Sequence, residues 1–385
     1  MKYHNTIFRQ LLTFIPRNRF QAAVDRHDGD HRIRTLSCWD QFVTLLFGQL
    51  SGRISLRDLV LSFNSKGSHH YHLGTKAIKR SSLSDANNKR PVAVFTETFF
   101  YLLQKVRNHL PSSIATEIVR LIDSTTISLN LEQFKWAKFR STKSGIKLHV
   151  VYDPNAQIPV FYSMTQAKIN DRKALTTLPI MPGTTYVVDR AYNDYKWYYD
   201  LTKQSSTFVG RMKSSARYTV LKSNTPKGDG VISDEIIRLS SPTAQRDCPI
   251  NLRRICFLRE EDKKVLVFIS NDLKRPAIEI ADLYKQRWQI ELFFKWVKQN
   301  LKVKKFLGRS ENAIKIQILV AMIAYLLIKL TQLTGKLSPS LQQIFRLIGI
   351  NLTSRRSIYA LFNPDPAIRN KTEATSQQDL ELFYA

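Results

Sequence analysis

Tyr284, Arg287, Glu291 and Lys298 are spaced so that a single helix would bring them onto one side. At about 100° per residue, their offsets of 0, 3, 7 and 14 fall at roughly 0°, −60°, −20° and −40°. Leu283, Ile290, Phe294, Val297 and Leu301 fall at roughly −80° to −140°, so the polar stripe runs along the edge of a buried face. A carboxylate there is partly shielded from water yet can reach a ligand. The tyrosine, arginine and lysine beside it are donors suited to phosphate oxygens. The stripe is about 21 Å long, enough to follow a few nucleotides of backbone. An ordinary amphipathic helix with a solvated Arg/Glu face gives the same pattern, so the stripe alone decides nothing.

Two further carboxylates occupy costly positions. Asp123 lies inside the apolar run VRLIDSTTISL, and Asp189 ends the run TTYVVD. An aspartate in or at the end of a hydrophobic strand needs a partner, either a metal ion or a basic side chain. Arg190 beside Asp189 offers a structural salt bridge at one site. Three such acids in one chain favour a shared site over separate salt bridges.

The elements that must position these residues can be read along the chain. Residues up to about 110 read as helices. Ser37-x-x-Asp40 opens a helix to Leu50, Ser55-x-x-Asp58 opens a shorter one, and Val92 to Leu110 forms a third. The first two, with Ser51-Gly52-Arg53 between them, resemble a helix-turn-helix, a weak signal since many helical hairpins never touch DNA. From residue 118 the pattern becomes β-branched. Strands are expected at Ile118–Leu129, Gly145–Tyr152, Ile158–Thr165, Thr184–Asp189 and Thr207–Met212, with helices near Asp171–Leu178 and Tyr195–Lys203. Three strands in a meander followed by alternating helix and strand imply a mixed α/β sheet. Residues 213 to about 270 read as a β-rich insertion, including a hairpin of Leu252–Leu258 with Val265–Ile269. One long helix is expected from Ile278 to Asn300, and another from Asn312 to Leu333.

The bulk composition points to a polyanionic partner. The chain has 385 residues, 59 Lys and Arg against 31 Asp and Glu, and a net charge of +28. The basic residues are spread along the whole sequence, and a surface this basic repels itself unless nucleic acid neutralises it. The three cysteines, Cys38, Cys248 and Cys256, have no C-x-x-C spacing, which fits a reducing cytoplasm, and a DNA partner places the protein at the nucleoid. The N-terminus does not read as a signal peptide. The apolar run Ile318–Ile328 is too short to span a bilayer and reads as a buried core helix.

The signature Y-x2-R-x3-E-x6-K after two strand aspartates resembles the DDE transposases of the insertion-sequence-four family over most of the chain. Asp123-Ser124-Thr125, Lys147-Leu148-His149, Asn170-Asp171-Arg172 and Asp189-Arg190-Ala191-Tyr192 carry the same resemblance. It implies a ribonuclease-H-like catalytic fold interrupted by the β-rich insertion and preceded by an all-helical domain. The expected divisions are 1–112, a helical DNA-binding or accessory domain; 113–212, the first catalytic part; 213–272, the insertion; 273–335, the helical completion of the catalytic domain; and 336–385, a tail. Asp123, Asp189 and Glu291 would hold two Mg²⁺ ions about 3.5–4 Å apart, with Mn²⁺ a possible substitute. Tyr284, Arg287, Lys298, Arg190 and Lys147 would contact DNA. The implied reaction cuts the transposon end, forms and reopens a hairpin, and joins the 3′-hydroxyl to target DNA, with a homodimer pairing two ends. The alternatives are a ribonuclease-H-like nuclease that cannot join DNA and a non-catalytic DNA-end-binding protein.

The insertion departs from the family in having no tryptophan, so Phe257 or Phe268 is the expected base-stacking aromatic. His69, His70 and His72 lack spaced metal-ligand partners and read as a solvated basic loop. Lys295, Lys302, Lys304 and Lys305 extend the basic character, and Trp288 and Trp296 read as packing residues.

Overall fold

The computed structural model describes residues 4–110, 117–300 and 306–362. The polypeptide divides into two compact units, residues 111–296 and a second made of 1–110 with 297–385.

The unit 111–296 is built on β-branched runs that pair into one mixed sheet. Its first six strands are β1 (Ile118–Leu129), β2 (Lys138–Arg140), β3 (Lys143–Asp153), β4 (Ile158–Gln166), β5 (Thr184–Val188) and β6 (Thr207–Arg211). β1, β3 and β4 form the antiparallel meander. Asp153 makes its turn, accepting the Asn155 and Ala156 N–H groups at 3.0 and 2.9 Å. β5 then lies parallel to β1, and β6 parallel to β5. Every residue of β5 is buried, as parallel strands covered on both faces require. The order β4-β3-β1-β5-β6, with helices Asp171–Leu175 and Tyr195–Lys203 in the connections, is the ribonuclease-H-like arrangement.

The insertion continues this sheet rather than forming a separate one. β7 (Tyr218–Asn224), β8 (Val231–Leu239), β9 (Leu252–Arg259) and β10 (Lys264–Ser270) pair antiparallel in sequence. β10 joins β6 through Phe268↔Arg211 and Ser270↔Val209. A buried ion pair, Arg253 Nη2 to Asp234 Oδ2 at 2.7 Å, ties β9 to β8. Arg275 donates to both oxygens of Glu117 at 2.8 Å and to Asp272 at 2.9 Å, fastening the chain that leaves the insertion to the start of β1.

The helix expected over 278–300 is two helices, Ala277–Gln286 and Trp288–Asn300. At the junction the Arg287 N–H donates to the Tyr284 carbonyl at 3.1 Å, and the Ile290 N–H to the Arg287 carbonyl at 3.2 Å. These three-residue closures tighten one turn.

The other unit is helical among its described residues. Ser37 and Asp40 form a reciprocal capping box on the helix Cys38–Leu50, and Ser55 caps Leu56–Asn64. All thirteen residues of Cys38–Leu50 are buried, so this helix is core. The polar, basic stretch between residues 66 and 90 contains helices Gly67–Leu73 and Arg80–Lys89. His70 is not in a solvated loop. It is buried, stacked on Phe63 at 4.7 Å, with Nε2 3.0 Å from the Phe63 carbonyl. The helix Glu311–Thr334 packs on Val92–Asn108, Cys38–Leu50 and Arg80–Lys89. In its packing it groups with the N-terminal helices rather than with residues 111–296, whereas the expected 273–335 division placed it in the catalytic domain. The reason is that its surface is apolar on nearly every side. By length and composition it could cross a membrane, yet 89% of its most apolar stretch is buried. Leu301, Lys302, Lys304 and Lys305 lie outside the described residues.

Candidate active site

The two aspartates meet because of strand register. β1 and β5 are parallel, with Ile122 opposite Val188, so Asp123 and Asp189 follow on adjacent strands at the same level. Neighbouring strands stand about 4.8 Å apart. β6 continues the row, placing Gly210 opposite Val188 and Arg211 beyond it. The carboxyl ends of parallel strands are where an open α/β sheet leaves room for a ligand.

Asp123 is only 15% exposed. Its Oδ1 accepts the Ser124 N–H at 2.7 Å, and its Oδ2 accepts from Arg287 Nη1 at 3.3 Å. Burial pushes its carboxyl up to about 7. The Ser124 N–H and Arg287 oppose that rise, while Asp189 and Glu291 add to it through their negative charge. Glu291 lies in the first turn of the helix Trp288–Asn300, and Arg287 Nη2 reaches its Oε1 at 2.6 Å. One guanidinium thus bridges Asp123 and Glu291, the geometry for which arginine is suited.

Tyr284 joins this group from the end of the preceding helix. It is buried, its ring lies 4.9 Å from Phe268, and the Arg287 guanidinium sits 5.6 Å from the ring centre. Burial pushes its hydroxyl up to about 12, so it stays a donor at neutral pH. The other expected contacts are distributed differently. Arg190 is exposed and donates to Ser214 Oγ at 3.3 Å. Lys147 is held by Asp171 Oδ2 at 3.1 Å and the Ile169 carbonyl at 3.3 Å, so its ammonium is already engaged. Lys298 is exposed and numbered in the other unit.

Two aromatic expectations change. Phe268 is buried against Tyr284 and has no face for a base, whereas Phe257 is half-buried. Trp288 is 60% exposed rather than packed, since four residues after Tyr284 it falls at roughly +40°, away from the buried face. Arg211 was not singled out from the sequence. It lies near enough to Tyr284 to lower that hydroxyl's pKa, and its Nε is buried without a hydrogen-bond partner among the described residues. Its position at the end of TFVGR, one strand over from Asp189, is the signal that could have found it.

The donor set of the three acids is all oxygen, which suits a hard divalent cation. As the side chains stand, no group of three His, Cys, Asp or Glu among the described residues is arranged around a single metal position. Arg287 supplies the local positive charge between two of the three acids. Asp123 nevertheless remains poised near neutrality, as expected for an acid that lacks full compensation and would gain from a cation.

Residues 114–327 match the family described as Transposase DDE domain, and residues 3–76 match a domain of unknown function. The chain is 39% identical over 289 residues to a Sinorhizobium fredii protein named as transposase y4zB, covering 74% of this chain and 80% of that protein. It is 31% identical over 215 residues to a Geobacillus stearothermophilus protein named as the transposase for insertion sequence element IS5377, covering 55% and 56%. It is 26% identical over 300 residues to a Synechocystis protein named for insertion sequence element IS4SA, covering 75% and 81%. A solved piggyBac transposase synaptic complex with hairpin DNA is similar at a TM-score of 0.47 and 13% identity, covering 96% of this chain and 84% of that one. DDE transposases generally use divalent metal ions and act on DNA. With a family match over more than half its length and a close relative along most of it, the chain belongs to the DDE transposases of insertion sequences.

Proposed function

We propose that Asp123, Asp189 and Glu291 are the catalytic carboxylates of cut-and-paste transposition and that together they hold two divalent cations. The observation that carries this reading is that Asp123 and Asp189 stand at one level on neighbouring strands while Arg287 links Asp123 to Glu291 on the adjoining helix. Mg²⁺, or Mn²⁺ in its place, would supply activation of the attacking water or 3′-hydroxyl and stabilisation of the leaving alkoxide.

The chain's own groups do the rest. Arg287, which bridges Asp123 and Glu291, would be free to offer its guanidinium to a phosphate oxygen if bound cations took over the charge of those acids. Tyr284 donates its protonated hydroxyl in the same place, and Arg190 and Lys298 extend the phosphate contacts. Lys147 has no part in gripping DNA while Asp171 holds it. The DNA is the element's terminal inverted repeats and then the target, and two copies of the chain pair two ends. If a hairpin forms, the half-buried Phe257 of the insertion is the aromatic proposed to stack on the displaced base.

Purified protein with Mg²⁺ and its own element ends is expected to give joined products. Cleavage without joining would reduce the reading to a nuclease. Glu291→Gln is expected to retain DNA binding and lose cleavage, and normal cutting by this variant would remove Glu291 from the site.

A further inference from the structure

Behind Asp123 and Asp189 lies a continuous run of buried polar groups. Asp171, first residue of the helix Asp171–Leu175, accepts the Ser124 hydroxyl on Oδ1 at 2.8 Å and the Lys147 ammonium on Oδ2 at 3.1 Å. Its Oδ1 also stands 3.6 Å from Nδ1 of His149. His149 is fully buried, with Nδ1 2.9 Å from the Tyr192 hydroxyl and Nε2 2.9 Å from Thr165 Oγ1. Tyr192, also fully buried, closes the turn Arg190–Tyr192, and its N–H donates to the Asp189 carbonyl at 2.9 Å. Ser124 in turn donates its N–H to Asp123 at 2.7 Å. The path runs from the Asp189 backbone through Tyr192, His149, Asp171 and Ser124 to the Asp123 carboxylate.

We infer that Asp171, with Ser124, His149 and Tyr192, forms a positioning network that sets the spacing and orientation of Asp123 and Asp189 for divalent-cation binding, with Lys147 as its internal counterion. The inference rests on the reading of Asp123 and Asp189 as cation ligands. β1 and β5 pair only as far as Ile122↔Val188, so the ladder between these two strands ends one residue short of both acids, while on its other edge Asp123 stays paired with Val150 of β3. Backbone pairing alone does not set the gap between them; the polar run meets Asp123 at its carboxylate, opposite the Arg287 contact, and meets Asp189 at its backbone carbonyl. Burial holds His149 down at about 4, so the imidazole is neutral and Asp171–Lys147 is the run's single charge pair. A buried polar run that reaches ligand side chains orients them, and losing one member typically costs about 10–100-fold in metal affinity.

The test uses the full chain and Mn²⁺ as the probe, read by calorimetry and by electron paramagnetic resonance of free Mn²⁺, with thermal unfolding recorded alongside. Asp171→Asn and Tyr192→Phe are each expected to weaken Mn²⁺ binding about 10–100-fold. Cleavage should return at high Mn²⁺ because the ligands themselves remain. Parental Mn²⁺ affinity in Asp171→Asn would overturn the network. If that variant does not fold, Tyr192→Phe, which removes one hydroxyl, decides alone, and parental affinity there is equally fatal. Asp123→Asn separates the two levels. If it binds Mn²⁺ as the parent does, the ligand reading fails and takes the network with it; if it loses Mn²⁺ while both network variants keep it, the network alone fails.

Discussion

Asp123 is a carboxylic acid that the fold makes expensive to ionise. Its pKa rises from 3.8 to about 7, chiefly through burial. Below about pH 4 the folded and unfolded chains both hold this proton, and its contribution to stability is intact. Between about pH 4 and pH 7 the unfolded chain releases the proton while the folded chain keeps it, so stability falls as pH rises through that window and levels off above it. Asp123→Asn removes this loss. In metal-free buffer the variant is expected to be more stable than the parent above about pH 7, by on the order of a few kcal/mol in thermal unfolding, with the gap closing toward about pH 4. Equal pH slopes for the two proteins would mean that the burial is not felt in solution. The sequence displayed this acid clearly, because an aspartate within VRLIDSTTISL has few innocent explanations. It did not display what Lys147 does. A lysine on a strand near an active site reads as a phosphate ligand until the helix carrying Asp171 folds back onto it, and that contact spans 24 residues.

The strands were legible because β-branched runs bounded by turn residues leave little choice, and β1 has the bounds expected from the sequence. The register of β1 on β5 was not, since it depends on which parallel neighbour the crossover delivers. The break at Arg287 was hidden for a different reason. Neither Gly nor Pro marks it, and the two closing bonds differ from α-helical ones by a single residue of reach. The short helices Gly67–Leu73 and Arg80–Lys89 lack side-chain N-caps, so the start signal was missing. Where β6 reaches the site, Gly210 carries a constraint of packing. A Cβ there would lie 2.6 Å from the Tyr198 hydroxyl and 3.2 Å from Val188 Cγ2. Tyr198 cannot easily withdraw, because its ring stacks on Phe208 at 3.8 Å and its hydroxyl donates to Asn193 at 2.5 Å. Gly210→Ala is therefore expected to cost about 1–3 kcal/mol in denaturant unfolding. Adding Tyr198→Phe should recover part of that loss, giving a non-additive cycle. Strict additivity would show that the hydroxyl is not the obstacle.

At the scale of the whole molecule, the two compact units are not consecutive in sequence. One is continuous, from 111 to 296, while the other draws on both ends of the chain. Sequence position alone suggests an N-terminal accessory domain that could be removed, leaving a catalytic domain ending near residue 335. The packing of the helix Glu311–Thr334 cuts across that division. Its mean hydropathy of 2.0 over the most apolar stretch is that of a membrane span, and it is kept from water by helices Val92–Asn108, Cys38–Leu50 and Arg80–Lys89. A side-chain contact reinforces this packing: Asn312 donates to the Asn87 and Arg90 carbonyls, both at 2.9 Å. A fragment of residues 113–335 would expose that surface, and contiguous apolar patches beyond a few hundred Å² drive association. It is expected to aggregate when expressed alone and to return to the soluble fraction when residues 1–110 are supplied on a second chain. A fragment of residues 111–296 omits the apolar helix and keeps the ten-stranded sheet together with Asp123, Asp189 and Glu291. It is expected to stay soluble with a β-rich circular dichroism spectrum. Size-exclusion chromatography of the three preparations checks this directly. A monodisperse, folded 113–335 fragment would mean that the apolar helix can be buried without the N-terminal helices, and the interleaved division of the chain would have to be abandoned.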